Sequence, residues 1–210
     1  QKHNWQVHGV LNNDMIGNIT GINGVTNNTT ARIFSEGTRV VETKEQANTR
    51  RFTGGEVDSA SRNLARYIDT IADRYIPNLD TMLVYRLDRF GRGGHHRPFN
   101  DAGFAAVRIM ETNEHYDRQE VKIKGAVTAD TSFSWQQSSD ENIAGYKIYW
   151  RYTSEPQWQF SKYVGKVSQY TLKNVVIDNY YFGVASVSKD GVESPVVFPG
   201  DVGSFDHNIK

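Results

Sequence analysis

Gly91-Arg92-Gly93-Gly94-His95-His96-Arg97-Pro98-Phe99-Asn100-Asp101-Ala102-Gly103-Phe104-Ala105-Ala106-Val107-Arg108 carries the reading of the first half of the chain. Three glycines within four residues, then two histidines and a proline, make a loop. Residues 104–109 run apolar enough for a strand, and Met82-Leu83-Val84-Tyr85 form another just before the loop. A lone histidine is usually structural or solvated. Two adjacent ones in a glycine-rich loop between strands lie where a site is expected.

Upstream, Val57, Ala60, Leu64, Tyr67, Ile68, Ile71 and Tyr75 recur at three and four residues, Thr53 and Glu56 have the spacing of a capping box, and Pro77 follows. That pattern predicts a helix over 53–75. Nearer the start, Val7, Gly9, Val10 and Leu11 suggest a short buried strand running into Asn12-Asn13-Asp14. A carboxylate just past a strand end is where open α/β sheets place ligands. Residues 17–28, rich in Gly, Asn and Thr, read as a long surface loop. Strand, helix, strand, loop, strand indicates an α/β fold, though only part of a usual sheet.

After Glu120 the texture changes to short alternating runs at 121–124, 132–135, 146–152, 158–163, 170–172, 181–187 and 196–197, divided by turn signals such as Ser139-Asp140 and Lys189-Asp190-Gly191. Seven short strands in such a stretch predict an all-β, immunoglobulin-like sandwich. The expected organisation is an α/β domain over 1–120, the sandwich over 121–200 and a polar, frayed tail over 201–210.

The 210 residues include 24 Lys and Arg against 24 Asp and Glu, so no long-range field draws the chain to nucleic acid or to an anionic membrane. Neither is expected as a partner. No apolar run approaches the roughly 18–20 residues of a membrane span. Cysteine is absent, which excludes disulfides, cysteine nucleophiles and thiolate zinc sites. The chain starts Gln1-Lys2-His3-Asn4-Trp5, with neither an initiator Met nor a signal segment, and is expected to be a processed product or a part of something longer.

Ser134-Trp135, Gly145-Tyr146-Lys147-Ile148-Tyr149-Trp150 and Tyr181-Phe182-Gly183-Val184-Ala185-Ser186-Val187 followed by Asp190-Gly191-Val192-Glu193-Ser194 resemble a fibronectin type III domain over about 121–198. Trp135 would be its core tryptophan. Trp150, Trp158 and Tyr163 would be either an exposed aromatic strip for a polymeric substrate or ordinary cross-strand pairs, and the second reading is preferred.

The loop quoted first, followed by Glu111-Thr112-Asn113-Glu114-His115-Tyr116-Asp117, resembles the C-terminal half of the two-zinc aminopeptidases of metallopeptidase family 28, and Leu11-Asn12-Asn13-Asp14-Met15-Ile16-Gly17 looks like that family's segment in which an aspartate binds zinc. The resemblance runs from about Trp5 to Gln119. It implies a secreted or periplasmic enzyme that cleaves peptide or protein substrates with two zinc ions. It makes Asp14 a zinc ligand, and a hard carboxylate oxygen at a strand end suits a zinc that keeps a position for water. His96 would stand for the histidine of the family's Asp-His pair, lining the site without being a main ligand, and His95 stands where that pair has its aspartate. A zinc-binding histidine is expected shortly after Tyr116, yet the chain reads Asp117-Arg118-Gln119-Glu120. Glu120 is the weak substitute ligand at that place, and the junction looks like a deletion.

The family's remaining ligands and its general-base glutamate come from an N-terminal half, and nothing in residues 1–13 resembles them. The isolated chain is therefore expected to be inactive, its missing half lying upstream in the same protein. The alternative is a non-catalytic binding or accessory module built on a degenerate peptidase remnant. A phosphate-binding loop at Gly91–Gly94 is disfavoured, because the lysine-serine signature of a P-loop is absent.

Overall fold

Four runs of the first half pair into one mixed sheet. The structure, a computed structural model, describes residues 6–115 and 130–198. In chain order the elements are β1 (Val10–Asn13), β2 (Thr30–Ser35), α1 (Lys44–Thr53), α2 (Ala60–Tyr75), β3 (Asp80–Val84), α3 (Arg97–Asp101), β4 (Ala106–Glu111), β5 (Thr131–Ser134), β6 (Ile143–Tyr152), β7 (Phe160–Gly165), β8 (Gln169–Leu172) and β9 (Tyr180–Ser188). They fall into two units, residues 1–127 and 128–210.

In the first unit the sheet order is β1-β4-β2-β3. β1 runs parallel to β4 and β2 parallel to β3, while β2 and β4 are antiparallel. Alternation along the central strands sends Ile33 and Val107 to one face, where Ala65, Leu64 and Ile68 of α2 cover them. Phe34, Val84 and Met110 meet on the other face with Met15 and Met82. Each fully buried side chain of this kind contributes about 1.5–3 kcal/mol. Met15, just past β1, joins the second cluster, and the parallel pairing of β1 with β4 sets Asn12 opposite Arg108.

Two sequence expectations need correction here. The helix over 53–75 is really two pieces: Thr53 ends α1, Gly54 and Gly55 take φ of 69° and 101°, and α2 begins only at Ala60. Left-handed backbone at two successive glycines breaks the helix. The capping box belongs to Thr43 and Gln46, and the cap of α2 is Ser59, whose hydroxyl accepts from the Arg62 N–H. Tyr67 and Tyr75 are exposed. The buried stripe instead runs through Ser61, Ala65 and Ala72. The second correction is β2, a central strand with no counterpart in the sequence reading, since Thr30, Arg32 and Ser35 hide its apolar character. Strand β1 lies later than expected and includes Asn12 and Asn13. The loop after Gly94 contains the short helix α3, with Pro98 in its first turn.

In the second unit β5 pairs with β8, and β6 lies between β7 and β9, all antiparallel. Ile148, Leu172 and Phe182 form one apolar cluster joined by Phe133, Trp135 and Trp150, so residues from both sheets share a core. The run at 196–197 is a single bridge, Val184 to Val197. The strand expected at 121–124 and the tail at 201–210 lie outside the described residues. The chain is mixed α/β in its first unit and has sheets with no α-helix among the described residues of its second.

Trp150 stacks on Phe160 at 5.6 Å and packs toward the core, whereas Trp158 packs against Tyr149 and Phe198, with the Arg151 guanidinium 5.4 Å from its ring. Residues 149 and 150 project to opposite faces of β6, so no single aromatic strip forms. Trp135 is half-buried, 5.5 Å from the Tyr146 ring, and lines a groove of about 610 Å³ with Phe133, Val184 and Phe198.

Candidate metal-ligand site

Asp14 follows the last residue of β1, and its N–H donates to the Ile109 carbonyl at 3.0 Å, so the β1–β4 pairing continues one residue past the strand. Met15 takes φ of 56°, a left-handed conformation that a non-glycine residue adopts at a cost. Two contacts hold it there. The Met15 carbonyl accepts from the Glu111 N–H at 2.9 Å, and its side chain packs against the Phe34, Val84 and Met110 cluster.

The Asp14 carboxylate meets Arg108 on the neighbouring strand, Nη2 to Oδ2 at 2.9 Å, with the aspartate side chain 32% exposed and the arginine 2%. The other side of the guanidinium is taken by Asp88, Nη1 to Oδ2 at 2.8 Å. Asp88 also accepts from the Arg89 N–H at 2.7 Å. Burial works to raise the Asp88 pKa, but Arg108 and Arg89 outweigh it and hold the carboxyl below its usual range.

His96 is buried beside this chain of charges, and Nε2 donates to the Leu87 carbonyl at 2.8 Å. That bond fixes the Nε2–H tautomer, because a carbonyl only accepts. Burial is the largest influence on His96 and lowers its pKa, keeping the ring neutral. Nδ1 has no hydrogen-bond partner among the described residues. Gly94 leaves little room for a side chain: a Cβ would come within 2.9 Å of Asn12 Nδ2, 3.0 Å of His96 Nδ1 and 3.2 Å of Arg108 Nη1.

A second buried ion cluster lies at the far end of β4. Arg32 donates from Nη2 to Glu114 Oε1 at 2.7 Å and from Nε to the Glu111 carbonyl at 2.9 Å, and Arg89 and Arg92 reach Glu114 Oε2. Glu111 is buried beside Glu114, and Oε2 has no partner among the described residues. Burial first, and the Glu114 charge second, push its pKa up to about 7.

Of the sequence-proposed residues, the structure brings Asp14 near His96 through Arg108 and Asp88. His95 is exposed, and Glu120 lies outside the described residues. His96 is buried, and its bond to the Leu87 carbonyl ties the loop to the segment after β3. Sequence reading overlooked Arg32, Asp88, Arg108 and Glu114. Their signal was an arginine inside an apolar strand, in Ala31-Arg32-Ile33-Phe34 and in Val107-Arg108-Ile109-Met110, where only a buried carboxylate partner makes such a residue tolerable.

Among the described residues no three His, Cys, Asp or Glu side chains converge as a metal cage. The donor chemistry fits one zinc ligand, Asp14, but not a whole site, since structural and catalytic zinc take three or four protein ligands.

No model of a known protein family matches the chain. It is 31% identical to a "Probable zinc metalloprotease" of Phaeosphaeria nodorum, covering 92% of the chain and 49% of the relative. A protein of the same name from Pyricularia oryzae is 34% identical, covering 92% and 49%, and one from Pyrenophora tritici-repentis is 31% identical, covering 90% and 55%. The chain spans about half the length of the curated relatives it matches. The first match extends over 242 positions, more than the 210 residues of the chain, so that relative carries internal residues that this chain lacks. Over nine-tenths of its length the chain is therefore similar to proteins named as probable zinc metalloproteases.

Proposed function

We propose that the chain is a portion of a zinc-dependent protease of the aminopeptidase type, in which Asp14 is one metal ligand and an upstream half supplies the other ligands and the general base. The observation that carries this reading is the setting of Asp14: a half-buried carboxylate just past a strand end, pinned through one oxygen, in a chain similar over 92% of its length to probable zinc metalloproteases. Bound zinc supplies a Lewis acid and a water of lowered pKa for attack on a peptide carbonyl. Asp14 would hold the ion, and the buried Arg108, Asp88 and His96 would keep that carboxylate and the Gly94 loop in place. The second unit is read as an immunoglobulin-like, fibronectin type III-like sandwich, and the complete protein as secreted or periplasmic.

The absence of a three-ligand cage among the described residues favours a second reading, a non-catalytic accessory module on a peptidase scaffold. Cleavage of a leucine-type chromogenic amide separates the two. The 210-residue chain is expected to show no zinc-dependent turnover, and the same segment joined to an upstream half is expected to gain turnover that Asp14→Ala abolishes. Failure of the joined protein to cleave any aminoacyl amide while folded and zinc-loaded would leave the accessory reading.

A further inference from the structure

We propose that Arg108 is the positioning residue for Asp14: its guanidinium, fixed at one edge by Asp88, holds Oδ2 of Asp14 and leaves Oδ1 as the single oxygen presented outward. The inference rests on the reading of Asp14 as a metal ligand and deepens it.

Arg108 is buried and cannot follow a mobile partner, because Nη1 is committed to Asp88 Oδ2 at 2.8 Å and Asp88 is itself held by the Arg89 N–H. Its Nη2 reaches only one oxygen of Asp14, at 2.9 Å. Oδ1 has no hydrogen bond among the described residues, and the side chain is 32% exposed. The backbone is fixed independently on both sides, by the Asp14 N–H to the Ile109 carbonyl and by the Glu111 N–H to the carbonyl of Met15. Met15 keeps its left-handed φ of 56° where glycine or asparagine would adopt it at less cost. Backbone and carboxylate are thus both fixed before any ligand arrives. A carboxylate held through one oxygen offers a cation monodentate coordination in one direction, the role that hydrogen-bonded neighbours play around metal ligands.

NMR of the 13C,15N-labelled 210-residue chain tests this without any turnover. The three-bond couplings of Asp14 Cγ to its backbone nitrogen and carbonyl carbon are expected to report one χ1 rotamer in the wild type and averaging over the staggered rotamers in Arg108→Gln. Partial averaging is expected in Asp88→Asn, which keeps Arg108 but frees it. An averaged Asp14 in the wild type overturns the proposal without recourse to any variant that fails to fold. So does an unchanged single rotamer in a folded Arg108→Gln. The metal reading is checked separately in the protein joined to an upstream half, by titrating Zn2+ and following the Asp14 carboxyl carbon, with Asp14→Asn as control. No zinc-dependent shift at Asp14 in that joined, folded protein would overturn the ligand assignment and leave the rotamer result standing. In a protein holding the full donor set, Arg108→Gln is expected to weaken zinc binding about 10- to 100-fold.

Discussion

Arg32 Nη2 lies 2.7 Å from Glu114 Oε1, and both side chains are all but withdrawn from water. The arginine sits mid-strand on β2 and the glutamate lies just beyond β4, so the pair joins two central strands that the apolar clusters also join. Desolvating two charges costs several kcal/mol, and here the further bonds of Arg32 to the Glu111 carbonyl and of Glu114 to Arg89 offset it.

Removing one partner leaves the other buried and short of bonds. Glu114→Gln is expected to destabilise the first unit by about 3–5 kcal/mol, and Arg32→Met combined with Glu114→Leu by less than the single change, because the double variant leaves neither of those two charges stranded. Urea unfolding followed by the helix signal at 222 nm checks it. A single-variant loss below about 0.5 kcal/mol would place the pair at the surface.

Glu111 makes stability depend on pH in a defined direction. Its folded pKa of about 7 lies above the usual glutamate value of 4.5, so the folded state binds the extra proton, and the contribution present at low pH is lost as pH rises through 7. His96 and Asp88, both with lowered values, act in the opposite sense, which is why the test is a difference. Glu111→Gln carries no such titration. Relative to that variant the wild type is expected to lose about 2 kcal/mol between pH 5.5 and pH 8. A parallel pair of stability curves would show that Glu111 titrates normally.

Neighbouring glycines of the histidine loop are expected to behave differently. A Cβ at Gly94 meets Asn12, His96 and Arg108 at 2.9–3.2 Å, the last two held by Leu87 and Asp88, whereas at Gly93 the nearest atom is Cδ of the exposed Arg97, at 3.2 Å. Gly94→Ala should cost about 1–3 kcal/mol and disturb the His96 ring signals. Gly93→Ala should fall within about 0.5 kcal/mol of the wild type. Equal effects at both positions would contradict the packing around Asp14.

How much of this was legible beforehand depended on whether neighbours in sequence or neighbours in space decide a residue's fate. Strands β3 and β4, the end of α2 before Pro77 and the strands of the second unit announce themselves by runs and alternation. Asp14 could be singled out because a polar residue after an apolar run is a local pattern. Strand β2 was hidden because Arg32 and Ser35 look solvated until Glu114 and the other strands surround them. The helix boundary was misjudged for a related reason: Thr53 and Glu56 satisfy a spacing rule, but Gly54 and Gly55 between them turn left-handed and end α1. The burial of His96 was not legible, because a loop folding back on Leu87 leaves no trace in the loop's composition.

The second unit offers a test of packing that involves no ionisation. Ile148 is fully buried at the centre of β6, paired with Val184 on one side and Lys162 on the other, and it touches the cluster that holds Leu172 of the opposite sheet. Deleting its branched side chain removes contacts with both sheets at once, and β6 cannot shift to fill the space because its pairings run along ten residues. Ile148→Ala is expected to cost about 2–5 kcal/mol, while Val192→Ala, at an exposed turn position, should stay within about 0.5 kcal/mol. The measurement is best made on residues 121–200 expressed alone, which are expected to give dispersed amide spectra and one cooperative unfolding transition. A loss for Ile148→Ala no larger than that for Val192→Ala, in a folded segment, would mean that the two sheets do not share a core.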